Sequence, residues 1–227
     1  MSRVNFIILV ICALALSFSA SGCKSLDNSM LSPKTKNAEL LPPLEPVFDV
    51  ESFGTVFPIV QTTGSASYDS FTRTASYSGG TYTNSKLRDF NTIFQRNVEG
   101  NICVPDLTGQ KKGAIKCSLI DGNVEGGGYG CIPVSILSLG ILNLLGMPFW
   151  KEGYNLQIEV IIFDRNNKLI GKYTSDYYKQ VSWIAMYWGY ELSDAQQHSA
   201  RVAFTECMED IKQQIAKDYN KLNNALR

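Results

Sequence analysis

The sequence predicts an α+β fold in which helices pack against a largely antiparallel sheet and a long amphipathic helix closes the chain. Three patterns predict it. Apolar residues recur at helical spacing over residues 85–98, alternate with polar ones over 154–164 and 168–175, and return to helical spacing from about Ser193 to the C-terminus. The chain has 227 residues with 21 basic and 21 acidic side chains and one histidine. That size suits one core-forming domain or two small ones. The charge balance excludes the global positive field that nucleic-acid binding requires.

The N-terminus reads MSRVNFIILVICALALSFSASGCKS, with Arg3 as a short positive region, an apolar run from Val4 to Phe18, and small residues before Cys23. This is an export signal, shorter than the roughly 20 apolar residues of a membrane-spanning helix. Ala20-Ser21-Gly22-Cys23 resembles the lipobox of bacterial lipoproteins, with Ala20 where that family usually has Leu. The resemblance implies diacylglyceryl transfer to the Cys23 thiol, removal of residues 1–22, and acylation of the new amine. Lys24 after the cysteine implies, by the same resemblance, sorting to the outer membrane, on a face the sequence does not specify. Removing residues 1–22 takes Arg3 and no acid, leaving 20 basic against 21 acidic residues.

Residues 23–46 then read as a lipidated cysteine and a flexible tether, polar and proline-containing, with an r.m.s. reach of roughly 25–30 Å. A single globular domain is expected over 47–227. Residues 61–85 contain twelve Ser or Thr together with Tyr68, Phe71, Tyr77 and Tyr82. That composition predicts exposed strands and turns, with Gly79-Gly80 as a turn, and a polar hairpin or loop is the favoured reading. Hydroxyls and aromatic faces also suit a glycan or a protein partner, which makes these four aromatics the candidate contact surface.

Ser85 is placed to cap a helix whose buried face is Leu87, Phe90, Ile93, Phe94 and Val98, with Gly100 ending it. Strands are expected near Asn101–Val104 and Ala114–Ile120, separated by a Gly-Gln-Lys-Lys-Gly turn. The stretches YNLQIEVIIFD and KLIGKYTS flank Arg165-Asn166-Asn167, a hairpin turn. Leu156, Ile158, Val160 and Ile162 share one face of the first strand, and Ile161 and Phe163 make the other partly apolar. In the last helix Ala200, Phe204, Met208, Ile211, Ile215 and Leu222 form the apolar stripe, with Lys212, Lys217 and Lys221 toward its C-terminal end. The pattern IEVIIFD…LIGKY…ARVAF is faintly similar to envelope lipoproteins that assist transport or assembly complexes.

The segment CIPVSILSLGILNLLGMPFW, residues 131–150, is long enough for a bilayer, and no charge occurs between Glu125 and Lys151. Ser135, Ser138, Gly140, Asn143 and Gly146 interrupt it, prolines stand at 133 and 148, and no Lys/Arg cluster flanks it. Burial inside the fold is the favoured reading, ahead of a membrane-surface contact and of a span.

Little in the sequence points to catalysis. His198 stands alone on the last helix, which excludes a histidine-based metal cluster, and a solvent-facing side chain is the expectation. The glycine run at 126–130 lacks the ending of a phosphate loop. Asp121, Glu125, Glu159 and Asp164 read as surface charges. Cys12 leaves with the signal and Cys23 takes the lipid, so Cys103, Cys117, Cys131 and Cys207 remain; disulfides and buried thiols both stay open for them, and their spacing is not that of a metal knuckle. No cofactor and no metal is expected. The leading expectation is a non-enzymatic, lipid-anchored envelope protein with a membrane contact through its anchor, an envelope protein as partner, and no nucleic acid. A glycan-binding surface lipoprotein and a lipidated hydrolase are the alternatives.

Overall fold

A computed structural model describes residues 25–57, 68–69, 74–75, 84–107, 109–127, 131–144, 146–148, 150–185 and 189–227. The elements are a 3-10 turn (Asn28–Leu31), β1 (Glu45–Phe48), α1 (Val50–Gly54), β2 (Tyr68–Asp69), β3 (Thr74–Ala75), α2 (Ser85–Asn97), a π-type turn (Val98–Ile102), β4 (Gly113–Gly127), α3 (Cys131–Leu137), α4 (Ile141–Leu144), β5 (Trp150–Asp164), β6 (Leu169–Thr174), β7 (Tyr178–Ile184), α5 (Leu192–Lys217) and α6 (Tyr219–Ala225). The fold is the expected α+β type: a five-stranded, mostly antiparallel sheet in the order β1-β4-β5-β6, with β7 also paired to β5 and α5 packed on the sheet.

The chain divides into two compact units. One holds Asp27–Val124, Tyr154–Gln180 and Ala200–Arg227; the other includes Glu125–Gly153 and Val181–Ser199.

The larger unit is built around an aromatic core. Along β5 the inward residues Tyr154, Leu156, Ile158, Val160 and Ile162 are buried, while Ile161 and Phe163 are only half-buried. β6 pairs antiparallel to β5 across a turn made by Asp164, whose Oδ1 accepts the Asn166 and Lys168 N–H groups at 2.8 and 2.9 Å, and by Asn167 at φ 58°. Asn tolerates that left-handed backbone better than most residues, which is why the hairpin turns there. Helix α2 begins at Asn84, whose side chain accepts the Lys86 N–H; Leu87, Phe90, Ile93 and Phe94 face the core, and Gly100 at φ 91° reverses the chain after it. The rings of Phe90 and Phe204 stack at 4.7 Å, and those of Phe48 and Phe53 at 4.5 Å. Burying Phe53, Phe90 and Phe204 stabilises the fold by about 1.5–3 kcal/mol each, with the half-buried Phe48 packed against them.

Two expectations are corrected here. The strand expected at Asn101–Val104 is absent: the π-type turn occupies Val98–Ile102, and Cys103 makes only isolated bridges to Leu41 and Glu99. A ladder cannot run through a chain reversal at Gly100.

The expected tether over 23–46 is fixed from Asp27 onward. Leu41 and Leu44 lie in the core, and β1 pairs in parallel with β4, Glu45 against Ala114. Upstream, α5 holds the segment by charge. The Arg201 Nη1 donates to the Asp27 carbonyl at 3.4 Å, the Lys34 N–H donates to Glu209 Oε1 at 3.1 Å, and the Lys212 Nζ donates to the Thr35 carbonyl at 2.7 Å and to Glu209 Oε1 at 2.9 Å. Lys212, one of the charges toward the C-terminal end of the helix, is therefore buried and paired.

Burial acts to raise the Glu209 pKa, but hydrogen bonds from Thr35, Lys212 and Lys34 outweigh it and hold the carboxyl below its usual value. A depressed folded-state pKa stabilises the fold above the unfolded carboxyl value, and that contribution disappears as pH falls through the folded value. Glu209→Gln should therefore flatten the acid limb of the stability curve below about pH 4.5, as read by urea unfolding across pH. An unchanged acid limb would contradict the role given to this carboxylate.

Candidate functional site

Three places were candidates for chemistry or contact. A cleft of about 270 Å³ lies in the larger unit between the segment at 29–34 and α5, lined by Ser29, Ser32, Pro33, Lys34, Val202 and Thr205. Its polar groups are engaged by the fold: Lys34 pairs with Glu206, and the Thr205 hydroxyl donates to the Arg201 carbonyl. The cleft is the seam of the fastened segment.

In the smaller unit, the Ser182 hydroxyl stands 2.9 Å from His198 Nδ1, and the Tyr190 ring stacks on the imidazole at 4.4 Å. This corrects the solvent-facing histidine expected on the terminal helix: β7, which the sequence pattern does not announce, places a serine against it, and the ring is half-buried. A Ser–His contact is the first requirement of a nucleophile and base. Ser182 is only 4% exposed, however, so its hydroxyl has no open face toward a substrate. The contact satisfies the buried Ser182 hydroxyl and one nitrogen of the half-buried imidazole. Among the described residues, no group of three or more His, Cys, Asp or Glu side chains is arranged to hold a metal.

The third place is the hairpin of α3 and α4, again in the smaller unit. The expectation of burial for residues 131–150 is overturned: Ile136, Leu137 and Leu139 are 68%, 84% and 88% exposed, and Ile141 and Leu144 are more than half exposed. No helix among the described residues is long and apolar enough to cross a membrane. The reason the segment does not pack is its punctuation. Leu139 at φ 49° and Gly140 at φ 79° reverse the chain between two short helices, and Gly146 at φ 99° reverses it again. A left-handed leucine is a costly backbone state, of the kind that persists at sites of contact. The tip is thereby held out from its own unit. At its base the Trp150 Nε1 donates to the buried carboxylate of Glu152 at 2.8 Å. Leaving five such side chains in water forgoes about 1.5–3 kcal/mol each.

Cys103, Cys117 and Cys207 are buried free thiols, which closes the disulfide alternative for these three; burial pushes the thiols of Cys103 and Cys207 up to about 12 and that of Cys117 well above its usual value. Cys131 begins α3. Tyr68 lies on β2, paired with Ala75 of β3, whereas Phe71, Tyr77, Tyr82 and the Gly79-Gly80 turn lie outside the described residues, as does Cys23. Asp164 serves the β5–β6 turn, Glu159 pairs with Lys172, and Asp121 accepts a hydrogen bond from the Tyr177 hydroxyl at 2.6 Å. The sequence signal for the hairpin was present in its uncharged stretch and its glycines.

No protein-family model matches the chain, and no curated protein is similar enough to count as a relative.

Proposed function

We propose that this chain is a lipid-anchored accessory protein of the cell envelope that works by contact rather than catalysis, with the α3–α4 hairpin as its contact surface. The observation that carries the proposal is the exposed, uncharged tip from Ile136 to Leu144. Lipidation at Cys23 fits the same picture. Asp27 is fastened to α5 and stands four positions after Cys23, with three residues between them, a reach of at most about 14 Å. The larger unit is then held against the lipid surface, and a short anchor of this kind raises the concentration of any membrane-fixed partner around it. Outer-membrane sorting through Lys24 and an envelope protein as partner belong to the same proposal. A glycan-binding alternative draws on Tyr68, Phe71, Tyr77 and Tyr82; a hydrolase alternative draws on Ser182 and His198 and is weakened by the burial of the serine.

Cys23→Ala is expected to abolish fatty-acid labelling and release the protein from membranes, and with it the recovery of any crosslinked envelope partner. Undiminished labelling would remove the lipid anchor from the proposal. Hydrolase activity that disappears in Ser182→Ala and in His198→Ala, with unchanged thermal stability, would replace the contact reading with the enzymatic one.

A further inference from the structure

We infer that the α3–α4 hairpin is immersed in the interfacial layer of a lipid bilayer, as a second membrane contact separate from the lipid on Cys23. The inference rests on reading the hairpin as the contact surface and names what that surface touches. Three observations favour a bilayer over a protein groove.

The first is the distribution of exposed apolar side chains. At 100° per residue, Ile132, Val134, Ile136 and Leu137 project at about 0°, 200°, 40° and 140° around the α3 axis, whereas a helix that docks in a groove confines its apolar residues to a stripe of roughly 100°. Ile141, Leu142 and Leu144 are likewise spread around α4. Apolar exposure on several sides suits a fluid that surrounds the tip.

The second is the state of the backbone. The N–H groups of Ser138, Leu139, Gly140, Ile141, Asn143, Leu144, Gly146 and Met147 all donate to carbonyls within the hairpin, at 2.8–3.1 Å. The polar side chains close on it as well: the Ser138 hydroxyl donates to the Ser135 carbonyl and the Asn143 amide to the Met147 carbonyl. Hydrocarbon offers no partner to a peptide group, so internal satisfaction is the condition for entering it. A protein partner imposes no such condition.

The third is charge and size. The stretch is uncharged from Gly126 to Trp150 and is bounded by Glu125, Lys151 and Glu152, a pattern complementary to an uncharged layer with a polar boundary. Trp150 stands at that boundary, where tryptophan is enriched in membrane proteins. The helices, at about 10 and 6 Å, match an immersion of roughly 5–10 Å and fall far short of the roughly 30 Å a span requires.

The test uses the full mature lipidated chain in vesicles of phosphatidylethanolamine and phosphatidylglycerol. An environment-sensitive NBD label is placed at Leu139→Cys, with Cys131→Ser to remove that thiol; the buried thiols of Cys103, Cys117 and Cys207 leave the label one target. Its emission should shift to the blue, lose most of its intensity to lipids carrying a doxyl group on the acyl chain, and resist aqueous iodide. The same label at Leu107, which is 93% exposed in the larger unit, should respond to iodide alone. In parallel, a diazirine amino acid at position 139, with no other substitution, should form lipid adducts in native envelopes. Iodide access at 139 equal to that at 107, together with protein adducts in native envelopes, would overturn the bilayer inference and leave the contact reading standing; adducts with the mass of a second copy would do the same in favour of self-association. Iodide access with no adduct of any kind would overturn both.

Discussion

Asp89→Ala is expected to lower stability more than any single surface change in this protein, by about 3–5 kcal/mol, because it strands a buried cation. The Arg201 Nε lies 2.6 Å from Asp89 Oδ2, and the two side chains are 5% and 4% exposed. Without the carboxylate, the guanidinium keeps hydrogen bonds to the Asp27 carbonyl at 3.4 Å and Asn28 Oδ1 at 3.5 Å, and a charge interaction with the exposed, solvent-screened Asp27 carboxylate. Desolvation of the cation is then poorly offset. At roughly 2–4 °C per kcal/mol for a chain of this size, the thermal midpoint should fall by about 10 °C. Adding Arg201→Met should restore much of the loss, since the unpaired charge, rather than the missing contact, is the larger cost. A midpoint within about 2 °C of wild type for Asp89→Ala would mean that water reaches the pair and that its burial carries little energy.

The second large effect is expected at the hairpin and should leave the fold alone. Leu137 and Leu139 are more than four-fifths exposed, so Leu137→Asp together with Leu139→Asp removes almost no packing and should change stability by no more than about 0.5 kcal/mol per site. Two carboxylates at the tip nevertheless forbid immersion in lipid and make burial against an apolar partner costly. Contact should therefore be lost while the thermal transition stays in place. A large drop in the midpoint would show instead that these leucines pack within the fold.

What could be read in the sequence depended on whether the decisive interaction was local. The β5–β6 hairpin was legible because the alternation from Leu156 to Val160 and the Asn166-Asn167 turn both act within a few residues. Helix α2 and the stripe of α5 were legible because burial and periodicity agree there: Phe90, Phe94, Phe204, Met208 and Ile211 are all in the core. The fastening of residues 27–36 was not legible. Its sequence has the composition of a linker, and the groups that fix it, Arg201, Glu209 and Lys212, stand more than 170 positions away. β1 escaped for a related reason, since EPVF contains a proline and its parallel partner lies beyond α2. β7 escaped because Ser182, a polar residue, takes an inward position and blurs the alternation.

The candidate site was half legible. An uncharged stretch broken by Pro133, Gly140, Gly146 and Pro148 signals turns, but hydropathy is the same for a leucine in a core and a leucine in solvent. Only the left-handed turn at Leu139 and Gly140 decides that the tip projects. The Ser182–His198 contact required two elements to meet, one of which the pattern did not announce.

If the hairpin is covered when the protein is in place, a membrane-impermeant maleimide should react with Leu139→Cys in intact native envelopes far more slowly than with Leu107→Cys, and the two rates should match once Leu137→Asp is added. Equal rates at the two positions in the otherwise native chain would mean that the hairpin is not covered.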